Sequence, residues 1–310
     1  MKLAPIALFV YNRPWHTQKT IEALQKNILA SESDLIIFSD GAKDFPESKE
    51  GVLAVREYLN TISGFKSVKV VSRDKNYGLG KSIMAGVTEV INEYGQIIVL
   101  EDDIVTSRYF LGYLNNALNL YKNDANVISI HSYIYPIKKR LPETYFLKGA
   151  DCQGWATWKR GWDLFESDGQ KLLDELESRK LTKEFDFSGS YPYTQMLRDQ
   201  IAGKNNSWAI RWYASAFLKN KLTLYPRESL IYNTGFDNSG TNCGDEDNFN
   251  KTDQIENIRV DVEKIETKDN YEARSAIISY FRAQVNLRKR GLRYLKKILS
   301  YIKNLINFKI

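Results

Sequence analysis

The chain has 310 residues, 43% hydrophobic and 26% charged, enough for one large or two small packed domains and too apolar for a disordered chain. Residues 1–272 carry 34 Lys and Arg against 38 Asp and Glu, whereas the ten charged residues beyond Glu272 are all basic, so the net charge of +6 joins a body of −4 to a tail of +10. An acidic body with a basic, apolar tail excludes the reading of a generally basic nucleic-acid binder.

The first hundred residues alternate apolar runs with helical patterns. Residues 6–11 predict a strand, and 14–30 a helix opened by Pro14 with Ile21, Leu24 and Ile28 on one face. A strand is expected at 34–41, a helix at 46–62 closed by Gly64, a strand at 67–73 and a helix at 81–94 closed by Gly95. The continuous apolar strand 96–103 has the composition of a strand covered on both faces. Beyond it, a helix is expected at about 107–122, a strand at 127–133, a helix at 207–220 and strand character at 222–236, with a polar loop over 237–250. Trp155, Trp158 and Trp162 recur at spacings of three and four, which predicts a helical stripe packed in the core or, alternatively, a platform for an acceptor sugar.

The apolar N-terminal run, eight residues at 3–10, is too short for a signal sequence and has no small-residue cleavage site. No stretch of 18 apolar residues occurs, so no membrane-spanning helix is expected. Cys152 and Cys243 match no zinc or redox spacing and read as free thiols in a reducing cytosol.

Strand–helix repetition predicts an α/β fold, a mostly parallel sheet flanked by helices. Ligands of such sheets sit at the carboxyl ends of the strands. Here those ends carry Asn12-Arg13, Asp40, Arg73 and Glu101-Asp102-Asp103. Three adjacent carboxylates repel one another unless compensated, and Mg²⁺ or Mn²⁺ would compensate them, taking phosphate oxygens as further ligands. Asn76, Gly78 and Lys81 belong to a glycine loop opening a helix, able to turn backbone N–H groups and a lysine toward a phosphate or sugar. It is not a P-loop, because the glycine required five residues before Gly80 is Lys75. His16 and His131 are the only histidines, which excludes a histidine-rich metal site, and His131 reads as a hydrogen-bonded core residue. In the tail, 291–310, Leu292, Leu295, Leu299, Ile302, Leu305 and Ile306 form one face and lysines the other, a pattern that favours an anionic membrane surface or a docked helix.

These residues resemble the GT-A nucleotide-diphospho-sugar transferases. A strand ending at Arg13-Pro14, a strand ending at Asp40, Asn76-Tyr77-Gly78 before a helix and an acidic motif after an apolar strand are similar to bacterial family-2 glycosyltransferases. The form Leu100-Glu101-Asp102-Asp103 resembles the N-acetylglucosaminyltransferase that begins complex N-glycans. The resemblance implies that Asp103 binds the metal directly, with Asp102 on the ribose or sugar, Asp40 on the base and Arg13 on the nucleotide. The related family has a Trp-Asp-Asp-Trp segment that supplies the catalytic base. The matching stretch here, 208–212, contains no acid, which leaves Asp199, Asp151 and Asp237 as candidates for the base.

The expected protein is a Mn²⁺- or Mg²⁺-dependent glycosyltransferase that moves a sugar from a nucleoside diphosphate, UDP in the first instance, to a glycan or lipid-linked saccharide, with inversion, in bacterial surface glycan synthesis. Residues 1–133 would form a Rossmann-like donor half, 134–265 the acceptor and catalytic half of the same domain, and 266–310 a basic amphipathic tail. The expected location is cytoplasmic, peripheral on the inner face of the cell membrane. A nucleotidyltransferase is disfavoured because Asn12-Arg13-Pro14 is not the expected glycine-rich, basic loop. A non-catalytic, membrane-associated sugar-binding protein draws support from the missing acid and is opposed by the intact acidic triplet.

Overall fold

A computed structural model describes residues 2–235, 237 and 255–285 of the chain. The amphipathic tail expected at 291–310, Cys243 and the polar loop from 238 onward lie outside the described residues.

The first half runs β1 (Ile6–Val10), α1 (Pro14–Gln25), β2 (Asp34–Ser39), α2 (Pro46–Leu59), β3 (Ser67–Ser72), α3 (Leu79–Tyr94), β4 (Gln96–Glu101), β5 (Ile104–Thr106), α4 (Phe110–Tyr121) and β6 (Val127–His131). The second half runs β7 (Thr144–Lys148), β8 (Trp155–Trp158), α5 (Lys159–Trp162), α6 (Gly169–Ser178), α7 (Thr182–Phe185), α8 (Tyr193–Ile201), α9 (Ala209–Leu218), β9 (Leu222–Pro226) and β10 (Ile231–Asn233). Residues 271–285 are helical.

Both halves contribute to one eight-stranded sheet, ordered β3-β2-β1-β4-β8-β6-β9-β7. The first four strands are parallel, with β1 paired to β2 and β4 and β2 paired to β3. Parallel neighbours need a crossover, and the helices between these strands supply it. β8 then enters antiparallel between β4 and β6. β6 and β9 are parallel, and β7 closes the edge antiparallel to β9.

Alternation along β1 shows how the strands divide the core. Ile6, Leu8 and Val10 face a cluster with Leu24, Val55 and Leu114, while Ala7 and Phe9 face one with Ile83, Val87 and Trp212. Burial on both faces accounts for the unbroken apolar composition of β1 and β4. A third cluster joins β7 to α6, α8 and α9 through Tyr145, Leu147, Leu176, Leu197 and Phe217. Ala273, Ile277 and Phe281 belong to it, and the Lys148 N–H donates to Asp269 at 2.9 Å, so residues 269–281 are docked on the body.

The helical stripe expected through Trp155, Trp158 and Trp162 is not formed. Residues 155–158 are a central strand, which sends Trp155 to one face of the sheet and Trp158 to the other. All three indoles are buried, so core packing holds and the acceptor-platform alternative does not.

Candidate functional site

The carboxyl ends of β1, β2, β3 and β4 share one edge of the sheet because the strands are parallel. Arg13 follows β1 and sits at the start of α1, with Pro14 in the first helical turn. Its Nη2 donates to Oδ1 of Asp102 and, at 2.8 Å, to Oδ2 of Asp103, while its Nε donates to Oδ2 of Asp102 at 3.3 Å. Thr20, two turns along α1, donates its hydroxyl to the Asp102 carbonyl at 2.8 Å. The acidic turn is therefore clamped to α1 at both side chain and backbone.

A second segment also reaches the turn. β10 pairs antiparallel with β5, and Thr234 donates its N–H to the Asp103 carbonyl at 2.8 Å. A Cβ on Gly235 would fall 2.3 Å from Oδ2 of Asp103, so any larger residue there would have to push that carboxylate aside from Arg13. Beyond it, Asp237 reaches Nε2 of His16 at 3.0 Å. His16 lies one turn after Arg13 on α1.

One guanidinium against three carboxyls leaves the cluster short of positive charge. Burial, then Asp103 and Asp102, push Glu101 up to about 8, with Arg13 opposing them. Asp102 is also raised, by burial and Asp103 against the pull of Arg13. Burial works against the charge of Arg13, but the two aspartates outweigh it and hold the guanidinium above its ordinary value. Among the described residues, no three His, Cys, Asp or Glu side chains are grouped to hold a metal ion, and Arg13 provides the compensation that the sequence assigned to a cation.

Asp40, expected to contact a nucleobase, lies just past β2, and its buried carboxylate accepts from the N–H groups of Gly41 at 3.0 Å, Tyr77 at 2.9 Å and Gly78 at 2.9 Å, and from Nδ2 of Asn76 at 3.2 Å. Asn76 completes the tie by donating to the Gly41 carbonyl at 2.8 Å. Asp40 thus builds the 76–78 loop, and Gly78, at φ +73°, turns that loop into α3. Lys81 stands exposed in the first turn of α3. Arg73 lays its guanidinium over the half-exposed Tyr77 ring, 4.3 Å from the centroid, and Nη1 of Arg73 is buried without a hydrogen-bond partner among the described residues.

The three candidate bases separate clearly. Asp199, on α8, accepts from Gln195 at 3.0 Å and lies 3.5 Å from Nζ of Lys204, and no described contact joins it to the acidic turn. Asp237 is held by His16. Asp151 accepts from the Cys152 N–H at 2.8 Å and lies 3.9 Å from Nε2 of His131. Burial raises the free thiol of Cys152, and the charges of Asp151, Glu101 and Asp103 add to that. β8 is antiparallel to β4 with Trp155 opposite Val99, so the chain that carries Asp151 enters β8 from the carboxyl end of β4. Asp151 also borders an aromatic wall: His131, 3.9 Å away, packs edge-on to Tyr133 and Tyr225, and Tyr135 meets Tyr133 and lies hydroxyl to hydroxyl 3.4 Å from Tyr193. His131 is fully buried and, as expected, hydrogen bonded, accepting from the Gln153 N–H at 3.2 Å.

Thr20 and Arg56 escaped the sequence reading, and His16 entered it only in the histidine count. Arg56, on α2, donates to the Arg73 carbonyl at 2.7 Å and to Ser39 at 3.2 Å, fixing the ends of β2 and β3. His16 and Thr20 could have been found from their three- and seven-residue spacing from Arg13 on one helix face.

The chain matches no curated protein. Among solved structures it is similar to Staphylococcus aureus TarS (residues 1–349), at 13% identity and a TM-score of 0.41, covering 74% of this chain and 60% of that one. It is also similar to the mannosyltransferase PcManGT from Pyrobaculum calidifontis in complex with GDP-Man and Mn²⁺, at 10% identity and a TM-score of 0.39, covering 70% and 71%. The chain thus spans 60% of the TarS fragment's length. Residues 6–172, more than half of the chain and the part that builds this strand-end site, match the model of glycosyl transferase family 2, and the chain belongs to that family.

Proposed function

We propose that the protein transfers a sugar from a nucleoside diphosphate sugar, UDP-linked in the first instance, to an acceptor hydroxyl with inversion, in the assembly of a bacterial surface glycan. The observation that carries this reading is the meeting of Arg13, Asp102 and Asp103 at the edge of four parallel strands, beside the loop tied by Asp40. Residues 1–133 would hold the donor and 134–265 the acceptor.

The donor set suits a hard divalent cation, since Asp102 and Asp103 present carboxylate oxygens and already hold a positive group. Asp103 would be the direct ligand and Asp102 would assist, with Mn²⁺ or Mg²⁺ supplying charge neutralisation at the leaving diphosphate. Arg13 would hold phosphate oxygens through its fork. Lys81, exposed at the start of α3, adds positive charge at the same edge.

Asp151 is the best placed of the three acids to act as base. It precedes β8 at the carboxyl end of β4 and lies 3.9 Å from His131 at the aromatic wall, whereas Asp199 and Asp237 are paired with Lys204 and His16. The acceptor hydroxyl would give its proton to the Asp151 carboxylate as its oxygen bonds the anomeric carbon. The bond from that carbon to the diphosphate breaks, and its electron pair leaves with the phosphate oxygen. Tyr135 and Tyr193, half-buried in that wall, offer flat apolar faces and hydroxyls suited to a saccharide.

Among the described residues no helix is long and apolar enough to cross a membrane. The basic, apolar sequence of 291–310 supports peripheral attachment to an anionic inner membrane face, beside a lipid-linked acceptor. Truncation after residue 285 should then abolish binding to anionic vesicles, and unchanged binding would remove the attachment. The transfer reading is tested by hydrolysis of a nucleotide-sugar panel with Mn²⁺, comparing the wild type with Asp103→Ala. One donor should be turned over by the wild type and not by the variant. Failure of both proteins to bind or turn over any donor rejects the reading.

A further inference from the structure

Three of the four carboxylate oxygens of Asp102 and Asp103 accept hydrogen bonds from Arg13. The ion pairs are shielded from water, with 19% of the Arg13 side chain exposed and 7% and 9% of the aspartates. A cation entering from solution meets oxygens already engaged and a fixed positive charge beside them. Arg13 cannot withdraw by moving its backbone, because Pro14 follows it and its carbonyl accepts from the Thr17 N–H at 3.0 Å to open α1. Only rotation of its side chain can free the acids. Removing a buried guanidinium from its carboxylates is costly unless it gains other anionic oxygens. Phosphate is the partner whose geometry suits the fork, and Nη1 of Arg13 is buried without a protein acceptor among the described residues.

We propose that Arg13 couples the two ligands of the site: it holds Asp102 and Asp103 while the diphosphate is absent, and yields them to a divalent cation when phosphate oxygens accept its guanidinium. This rests on the metal and nucleotide reading above and adds an order to it. The cation binds weakly alone and tightly with the nucleotide, and by reciprocity the nucleotide binds tightly only with the cation. Arg13 is a positioning residue here, since it acts by holding and releasing the acids.

Free Mn²⁺, read by electron paramagnetic resonance, is titrated with the full-length chain with and without UDP, or with GDP if UDP does not bind. The wild type, Arg13→Met and Arg13→Lys are compared, and circular dichroism reports whether each is folded. UDP should tighten Mn²⁺ binding to the wild type by about tenfold or more. Arg13→Met, which keeps the stem and loses the charge, should bind Mn²⁺ without UDP about tenfold more tightly than the wild type and gain little from UDP. Arg13→Lys keeps the charge without the fork, so it should fall between the two and provides the measurement if the methionine variant does not fold. Equal Mn²⁺ affinity in wild type and variants without nucleotide, or no effect of UDP on the wild type, overturns the coupling alone. Absence of Mn²⁺ binding to every protein, even with nucleotide, overturns the metal reading and the coupling with it.

Discussion

Asp40→Asn exchanges one carboxylate oxygen for an amide and changes almost no volume. The native carboxylate is buried and receives the N–H groups of Gly41, Tyr77 and Gly78 and the amide of Asn76. Asparagine has one oxygen to offer. With that oxygen toward Gly41 and Tyr77, its NH₂ faces the donors of Gly78 and Asn76, and the opposite orientation strands the first pair. Each lost hydrogen bond to a charged group is worth about 1.5–3 kcal/mol, and flipping of Asn76 or entry of water recovers part of it. The expected loss in unfolding free energy is therefore about 2–4 kcal/mol by that measure. Urea denaturation with an unchanged m-value measures it, and faster hydrogen exchange at Tyr77 and Gly78 locates it. A loss below about 0.5 kcal/mol, the size of an ordinary surface change, would refute the reasoning, above all if nucleotide binding were lost at the same time. That result would return Asp40 to direct contact with the base.

Asp151→Asn should lower transfer by about 10²–10⁴-fold, the range for loss of a general base, while Asp199→Asn leaves it within about twofold. Steady-state transfer together with donor-binding titration checks both, and the donor affinity of Asp151→Asn should not change. His131 is buried, and burial holds its folded value below the 6.5 of an exposed imidazole, with Asp151 opposing. Between those values the unfolded chain binds a proton that the folded chain does not, so stability is complete above pH 6.5 and falls as the pH drops below it. Denaturation midpoints from pH 7 to 5 should show this decline, and His131→Gln should flatten it.

The first half of the fold was readable because β1, β2 and β4 are buried apolar runs and the strands alternate with amphipathic helices, so β1, β2, β3 and β4 lie within about two residues of their expected ends. Convergence of Arg13, Asp40, Arg73 and the acidic turn followed from parallel strands alone. The aromatic segment misled because tryptophans at spacings of three and four fit a helix, whereas residues 155–158 pair with β4 on one side and β6 on the other. Nothing local in four residues marks that insertion, and tertiary pairing decided it. β5 and β10 have three residues each, too few for a period to register, yet their pairing carries Thr234 and Gly235 onto Asp103. The sequence also named Arg13, Asp102 and Asp103 as site residues while giving no sign that they bind one another across 89 and 90 positions. Asp40 was found by its place at a strand end, but its work on Tyr77 and Gly78 depends on where the following strand and loop return.

The most direct measurement of the central claim, that Asp102 and Asp103 bring a metal and a nucleoside diphosphate together, is the phosphorus resonance spectrum of bound UDP or GDP during Mn²⁺ titration. In the wild type, substoichiometric Mn²⁺ should broaden both phosphorus lines of the bound nucleotide strongly, because the ion and the phosphates share the acidic turn. Asp103→Ala should abolish the protein-dependent broadening. Tight nucleotide binding with phosphorus lines that respond to Mn²⁺ equally in wild type and Asp103→Ala would contradict the claim.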